Sequence, residues 1–273
     1  MPIDDESRLP VSSSTPPEIP QEQQELFRDV LTHMKDRGIP FVVSGAFALQ
    51  QHTGICRFTK DLDLFLPAEY VQVALQSLQE EGFECQVADP VWLAKAHRGE
   101  YFVDLITGMS NAVVVVDQSW IDRGVEAEIF GVQVKVLGPE ELIASKLFVT
   151  RRERFDGADI AHIFYGTHGK LDWPRLQALI GEHWEMLLWA LLFFHYIYPA
   201  HSHYVPQEVW QGLLARLHNT LDLPDPQAQF RGALIDPKMF AIDVNEWGLP
   251  DLLEEYRRRR QPKISDDCVK PAA

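Results

Sequence analysis

Apolar residues follow two regimes along the chain: short runs split by turn signals up to about residue 138, and helical spacing with few strand signals from about Asp156 onward. The stretch QEQQELFRDVLTHMKDRGIP carries Leu26, Phe27, Val30, Leu31 and Met34 at helical spacing and closes on Gly38 and Pro40, which predicts a helix and its stop. FVVS, residues 41–44, predicts a strand that runs into GAFALQQH, a helix opened by Gly45. DLDLFLP predicts a second strand, AEYVQVALQSLQEEG a helix ending at Gly82, and FECQV another short strand. VWLAKAHRG and EYFVDLITG, joined at Arg98-Gly99, predict a hairpin, and EAEIFG with VQVKVLG a second strand pair. GPEELIASKLFVTRRERF then predicts a helix with Pro139 at its favourable start.

Strands and helices interleaved in this way, then strands in hairpins, predict an α/β or α+β domain; of the two the expected fold class is α+β, a sheet with helices against it. WPRLQALIGEHWEMLLWALLFF and PQEVWQGLLARLHNTL predict a helical C-terminal domain after it. The expected organisation is a disordered leader over 1–22, an α+β domain over 23–150, a helical domain over 151–260 and a disordered tail over 261–273. Arg257 to Arg260 read as a solvated helix end, and no internal repeat is evident.

Composition narrows the function classes. A formal charge of −15 and a pI near 5.0 argue against broad binding to a polyanion. Cys56, Cys85 and Cys268 are far apart, form no C-x-x-C pair and read as reduced thiols of a cytoplasmic protein. The acidic, proline-rich start lacks the pattern of a secretion signal, and MLLWALLFF, residues 186–194, is too short to span a bilayer. No membrane partner is expected.

The chemistry concentrates in RFTKDLDLFL, residues 57–66. Strand periodicity puts Leu62, Leu64 and Leu66 on one face and Asp61, Asp63 and Phe65 on the other. Two like charges on one face of a strand cost stability unless solvent or a cation relieves them, so the choice is between a wet surface strand and a cation site. Upstream, Ser44 and Gly45 sit where a strand turns into a helix, a place where backbone N–H groups meet phosphate. Downstream, Asp104 lies in another predicted strand between Val103 and Leu105. Three carboxylates on neighbouring strands suit two Mg²⁺ ions ~3.5–4 Å apart, which polarise a phosphoryl group. Packing among aromatic neighbours accounts better for His195, His201 and His203 than a zinc site does, since their spacing matches no common ligand pair.

The series SGAFALQQHTGICRFTKDLDLFL followed by FVDLI resembles the nucleotidyltransferase fold of the DNA polymerase β superfamily, with its h-G-[GS], D-h-[DE] and later carboxylate, over about residues 25–165. The resemblance implies Asp61 and Asp63 as the metal-binding pair, Asp104 as third carboxylate, metal ligand and base, and Ser44 and Gly45 as part of a phosphate-binding turn. Ala46 departs from the pattern at its second small position. Together with ASKLFVTRRERFDGADI, the series is similar to uncharacterised and abortive-infection-type bacterial nucleotidyltransferases. That likeness implies that Lys146 neutralises triphosphate beside Arg151 or Arg154, that Asp156 and Asp159 support it, and that Arg57 and Lys60 are phosphate or carboxylate partners.

A haloacid-dehalogenase-type phosphatase is disfavoured by Phe65 two residues after the second aspartate, and a nucleotide-sugar glycosyltransferase by the short span before Asp61. The expected function is Mg²⁺- (or Mn²⁺-) dependent transfer of NMP from an NTP to an unknown acceptor, with pyrophosphate released. A small molecule or protein fits the acidic chain better as acceptor than a tRNA. The alternative is a catalytically silent binding or regulatory module of the same fold, such as a toxin–antitoxin component.

Overall fold

The computed structural model describes residues 19–223 and 225–265. Residues 1–18 of the expected leader, 266–273 of the expected tail, and Cys268 lie outside the described residues. The chain divides into two compact units. One contains residues 19–51, 55–138 and 259–265, the other His52–Gly54 and Pro139–Arg258.

The first unit is a sheet with helices against it. In chain order it contains α1 (Gln21–Asp36), β1 (Val42–Val43), most of α2 (Gly45–Thr53), β2 (Asp61–Phe65), α3 (Val71–Glu80), β3 (Glu84–Asp89), β4 (Leu93–Arg98), β5 (Tyr101–Ile106), α4 (Gln118–Asp122), β6 (Val125–Ile129) and β7 (Val132–Val136). The seven strands form one mixed sheet in the order β3-β4-β5-β2-β1-β7-β6. β2 runs parallel to β5 and β1 parallel to β7, and the remaining pairs are antiparallel.

Register decides which residues share a face. Cys85, Ala96, Val103 and Leu62 form one row across the sheet, and Val87, Ala94, Leu105, Leu64, Val43 and Val136 the next. This is the core face. The Cys85 thiol points at the Leu75 carbonyl of α3, and α1 packs against both α3 and β7, so these two helices cover the leucine rows. Burial pushes the Cys85 thiol up to about 11, which makes it a packing residue rather than a nucleophile. Each fully buried leucine there contributes about 1.5–3 kcal/mol.

The opposite face changes character along the strands. One row reads Gln86, Lys95, Asp104, Asp63, and its neighbour Glu84, His97, Phe102, Asp61. Toward the other end Phe65 stacks on Trp120 of α4, with ring centroids 6.0 Å apart and planes within 7°. One half of this face is therefore sealed by an aromatic pair, and the other is left polar.

The second unit, described by itself, is helical: α5 (Pro139–Lys146), α6 (Gly157–Gly166), α7 (Trp173–Ile180), α8 (Trp184–Ile197), α9 (Gln207–Asp222), α10 (Gly232–Ile235), α11 (Ala241–Asn245) and α12 (Leu252–Arg259), whose last residue falls in the first unit. α5 packs on α6 and α7, and α8 on α6, α7 and α9. Phe164 joins these layers, stacking on Trp173 at 5.8 Å and meeting Phe194 at 5.5 Å. His201 packs among Tyr165, Tyr198 and Tyr204, and the His195 ring meets Ser202 Oγ.

Arg260 corrects the expectation of a solvated arginine run. It is buried, and its guanidinium donates to the carbonyls of Thr107 at 3.0 Å and Gln261 at 2.7 Å. Five fixed N–H donors let arginine satisfy carbonyls beyond a strand end, a role that composition does not reveal. Among the described residues no helix is long and apolar enough to cross a membrane.

Candidate active site

Asp61 and Asp63 stand on the polar face of β2, the first exposed and the second half-buried. Asp104 on β5 is paired in register with Asp63 and is mostly buried. The sheet thus brings the three predicted carboxylates to one face on adjacent strands. That placement follows from alternation: Leu62, Leu64, Val103 and Leu105 must face the helices, so the aspartates face away.

The glycine turn is built against this row. Ser44 is buried and donates its backbone N–H to the Asp63 carbonyl at 2.9 Å, so that donor is spent on extending the β1–β2 pairing. Gly45 begins α2 with φ +59°, a left-handed conformation that favours glycine. A Cβ built on Gly45 would lie 1.9 Å from Asp63 Oδ2. Glycine is favoured here on two counts, its backbone angle and the closeness of a carboxylate oxygen. The first N–H groups of α2 that follow have no carbonyl a turn earlier within the helix, as at any helix start.

Periodicity alone did not single out Lys95. Its Nζ donates to both oxygens of Asp104, at 2.7 and 2.8 Å, and lies 5.9 Å from the centroid of the Phe102 ring. The predicted hairpin, with its turn at Arg98-Gly99, would set Lys95 opposite Phe102; the turn falls one residue later, Arg98 pairs with Tyr101, and Lys95 comes opposite Asp104. Burial pushes the Asp104 carboxyl above its ordinary range, against the hydrogen bond and charge of Lys95, and the negative charge of Asp61 adds to the rise.

Lys60 is exposed just before β2, where its carbonyl accepts the Phe102 N–H at 3.4 Å. Arg57, on the same loop, lines a cavity together with Phe47, Gln50, Cys56, Glu128 and Phe130. In the helical unit, Lys146 donates to Asp156 and Asp159 at 2.9 Å each, and Arg154 forks onto Asp156 at 3.0 Å through two nitrogens. Burial would raise the Asp156 carboxyl, but Arg154 and Lys146 outweigh it and hold it below the ordinary carboxylate range.

Carboxylate oxygens are the hard donors that Mg²⁺ and Mn²⁺ take, and Asp61, Asp63 and Asp104 share a face, so the donor chemistry fits a divalent cation. Among the described residues no group of three or more His, Cys, Asp or Glu stands in a metal-holding arrangement. Both Asp104 oxygens accept from Lys95 instead.

A mixed sheet with a glycine turn into a helix, beside two strands bearing three aspartates on one face, is the architecture of a nucleotidyltransferase. The chain belongs to the family described as "Nucleotidyl transferase of unknown function (DUF2204)", whose model matches residues 23–180. Among solved structures it is similar to the antibiotic-resistance factor ANT(2'')-Ia, at 16% identity over 66% of this chain and 100% of that one, with a TM-score of 0.45. A nucleotidyltransferase-like protein from Paracoccidioides brasiliensis matches at 18% identity, 67% and 92% coverage and a TM-score of 0.42. The lincosamide antibiotic adenylyltransferase LnuA, solved with lincomycin, matches at 14% identity, 53% and 96% coverage and a TM-score of 0.36. No curated protein matches the chain in sequence.

Proposed function

We propose that the chain transfers NMP from an NTP to a hydroxyl or similar acceptor, releasing pyrophosphate, at the polar face of β2 and β5. The observation that carries the reading is the shared face of Asp61, Asp63 and Asp104, approached by a turn whose backbone angle and closeness to Asp63 favour glycine. Asp61 and Asp63 would hold a divalent cation, Mg²⁺ or Mn²⁺, with Asp104 as the third carboxylate beside them. When bound, the cation supplies Lewis-acid polarisation of the phosphoryl oxygens and neutralises charge.

The chain's own residues do the rest. The turn at Gly45 and the first N–H groups of α2 cradle phosphate, aided by the helix dipole. Lys60 and Arg57, on the loop leading into β2, add positive charge for the triphosphate. Lys146, already between two carboxylates, serves the helical unit. Asp104, its carboxyl held up by burial, accepts the acceptor's proton as the acceptor oxygen attacks the α-phosphorus and the bond to pyrophosphate breaks. The charge of −15 favours a small molecule or a protein side chain as acceptor over tRNA.

One observation favours the rival reading of a silent module: the Lys95 ammonium on both oxygens of Asp104. Calorimetric titration of each NTP, with and without Mg²⁺, tests the site that both readings share, and transfer of an α-phosphate label separates them. Metal-dependent binding by the wild type that is lost in Asp61→Asn together with label transfer supports the enzyme, such binding without transfer supports the silent module, and equal binding by both proteins removes the carboxylates from the site.

A further inference from the structure

Lys95 sets this face apart from a plain carboxylate triad. It is fixed opposite Asp104 by the register of the β4–β5 hairpin. Its ammonium bonds both carboxylate oxygens and also lies over the Phe102 ring. An ammonium held from two sides, against a carboxylate whose side chain is only 13% exposed, is more firmly placed than a surface ion pair. Across β2 the in-register partner of Asp104 is Asp63, so Asp104 stands between a cation and an anion.

Resting on the nucleotidyl-transfer reading above, we infer that Lys95 is a built-in substitute for one of two metal ions. It neutralises Asp104 in place, so the face takes up a single divalent cation, on Asp61 and Asp63, and Asp104 works free of metal. A second cation bound to Asp104 would have to displace the lysine and then sit beside it.

The experiment counts Mn²⁺ bound per chain, from the electron paramagnetic resonance signal of free Mn²⁺, with no nucleotide present. The wild type is expected to bind one. Lys95→Met, which removes the ammonium and keeps the length of the side chain, is expected to admit a second Mn²⁺ or to bind the first roughly tenfold more tightly. Lys95→Arg keeps the charge and is expected to stay at one. Two Mn²⁺ on the wild type overturns the inference and leaves the transfer reading intact, and this count decides even if Lys95→Met does not fold. Unchanged stoichiometry and affinity in folded Lys95→Met also overturns it. A wild type that binds none, or Asp63→Asn binding as well as the wild type, overturns the transfer reading and this inference with it.

Discussion

In the helical unit two cations, Lys146 and Arg154, meet two carboxylates, Asp156 and Asp159; on the sheet Lys95 meets Asp104, which shares a face with Asp61 and Asp63. The first cluster is balanced, and its cations hold Asp156 below the ordinary carboxylate range. In the second, burial and the charge of Asp61 outweigh Lys95 and hold Asp104 above it. Balanced and buried, the Lys146 cluster ties the end of α5 to the start of α6 and has little left to offer a ligand. On the sheet, burial of Asp104 and the nearby charge of Asp61 disfavour the ionised carboxyl, a cost that a cation on that face would relieve. Both regions are made of the same residue types, and the opposite directions in which their aspartates are shifted separate them.

The largest effect expected on the sheet side is on the reaction. Asp104→Asn should lower NMP transfer by about 10²–10⁴-fold, the usual contribution of a general base, while the urea midpoint of unfolding barely moves. On the helical side the loss should fall on stability. Lys146→Met takes the shared ammonium from Asp156 and Asp159, leaves Arg154 on Asp156, and should cost up to about 3–5 kcal/mol in urea unfolding. A stable Lys146→Met would make that cluster dispensable and erase the contrast.

A smaller effect should come from the turn. Gly45→Ala should cost about 1–2 kcal/mol for the left-handed backbone. It should also push Asp63 aside, lowering transfer by up to ~10²-fold and weakening Mn²⁺ binding. The smallest is a pH effect. Because Asp156 has a folded pKa below its unfolded value, its contribution is full above the unfolded pKa and is lost as pH falls through the folded one. Unfolding midpoints of wild type and Asp156→Asn should therefore converge as the solution is acidified below about pH 4. Curves that stay parallel would detach Asp156 from its cations.

Much of this contrast was legible in the chain. Alternation in DLDLF set the faces of β2, and the same alternation in YFVDLI set Asp104 on its polar side. Gly45 was legible as the residue of a strand-to-helix turn, but the second reason for glycine there, the closeness of Asp63 Oδ2, needed the fold. Lys95 was half legible, since the hairpin fixes its partner once the turn is placed. Strand order was not, because periodicity tells which way a residue faces and not which strand lies beside it; the parallel pairing of β2 with β5 brings Asp63 to Asp104 across some forty residues of chain. Nor was α4, a five-residue helix whose Trp120 seals half of the aspartate face. Its sequence is too short to show a period.

The account stands on the claim that the aspartate face moves nucleotidyl groups. The direct measurement incubates the protein with each α-phosphate-labelled NTP, Mg²⁺ and a cell lysate as acceptor pool, beside Asp63→Asn. The account predicts metal-dependent label transfer to an acceptor by the wild type and none by the variant. A wild type that transfers no label with any NTP, or an Asp63→Asn that transfers as well, would contradict it.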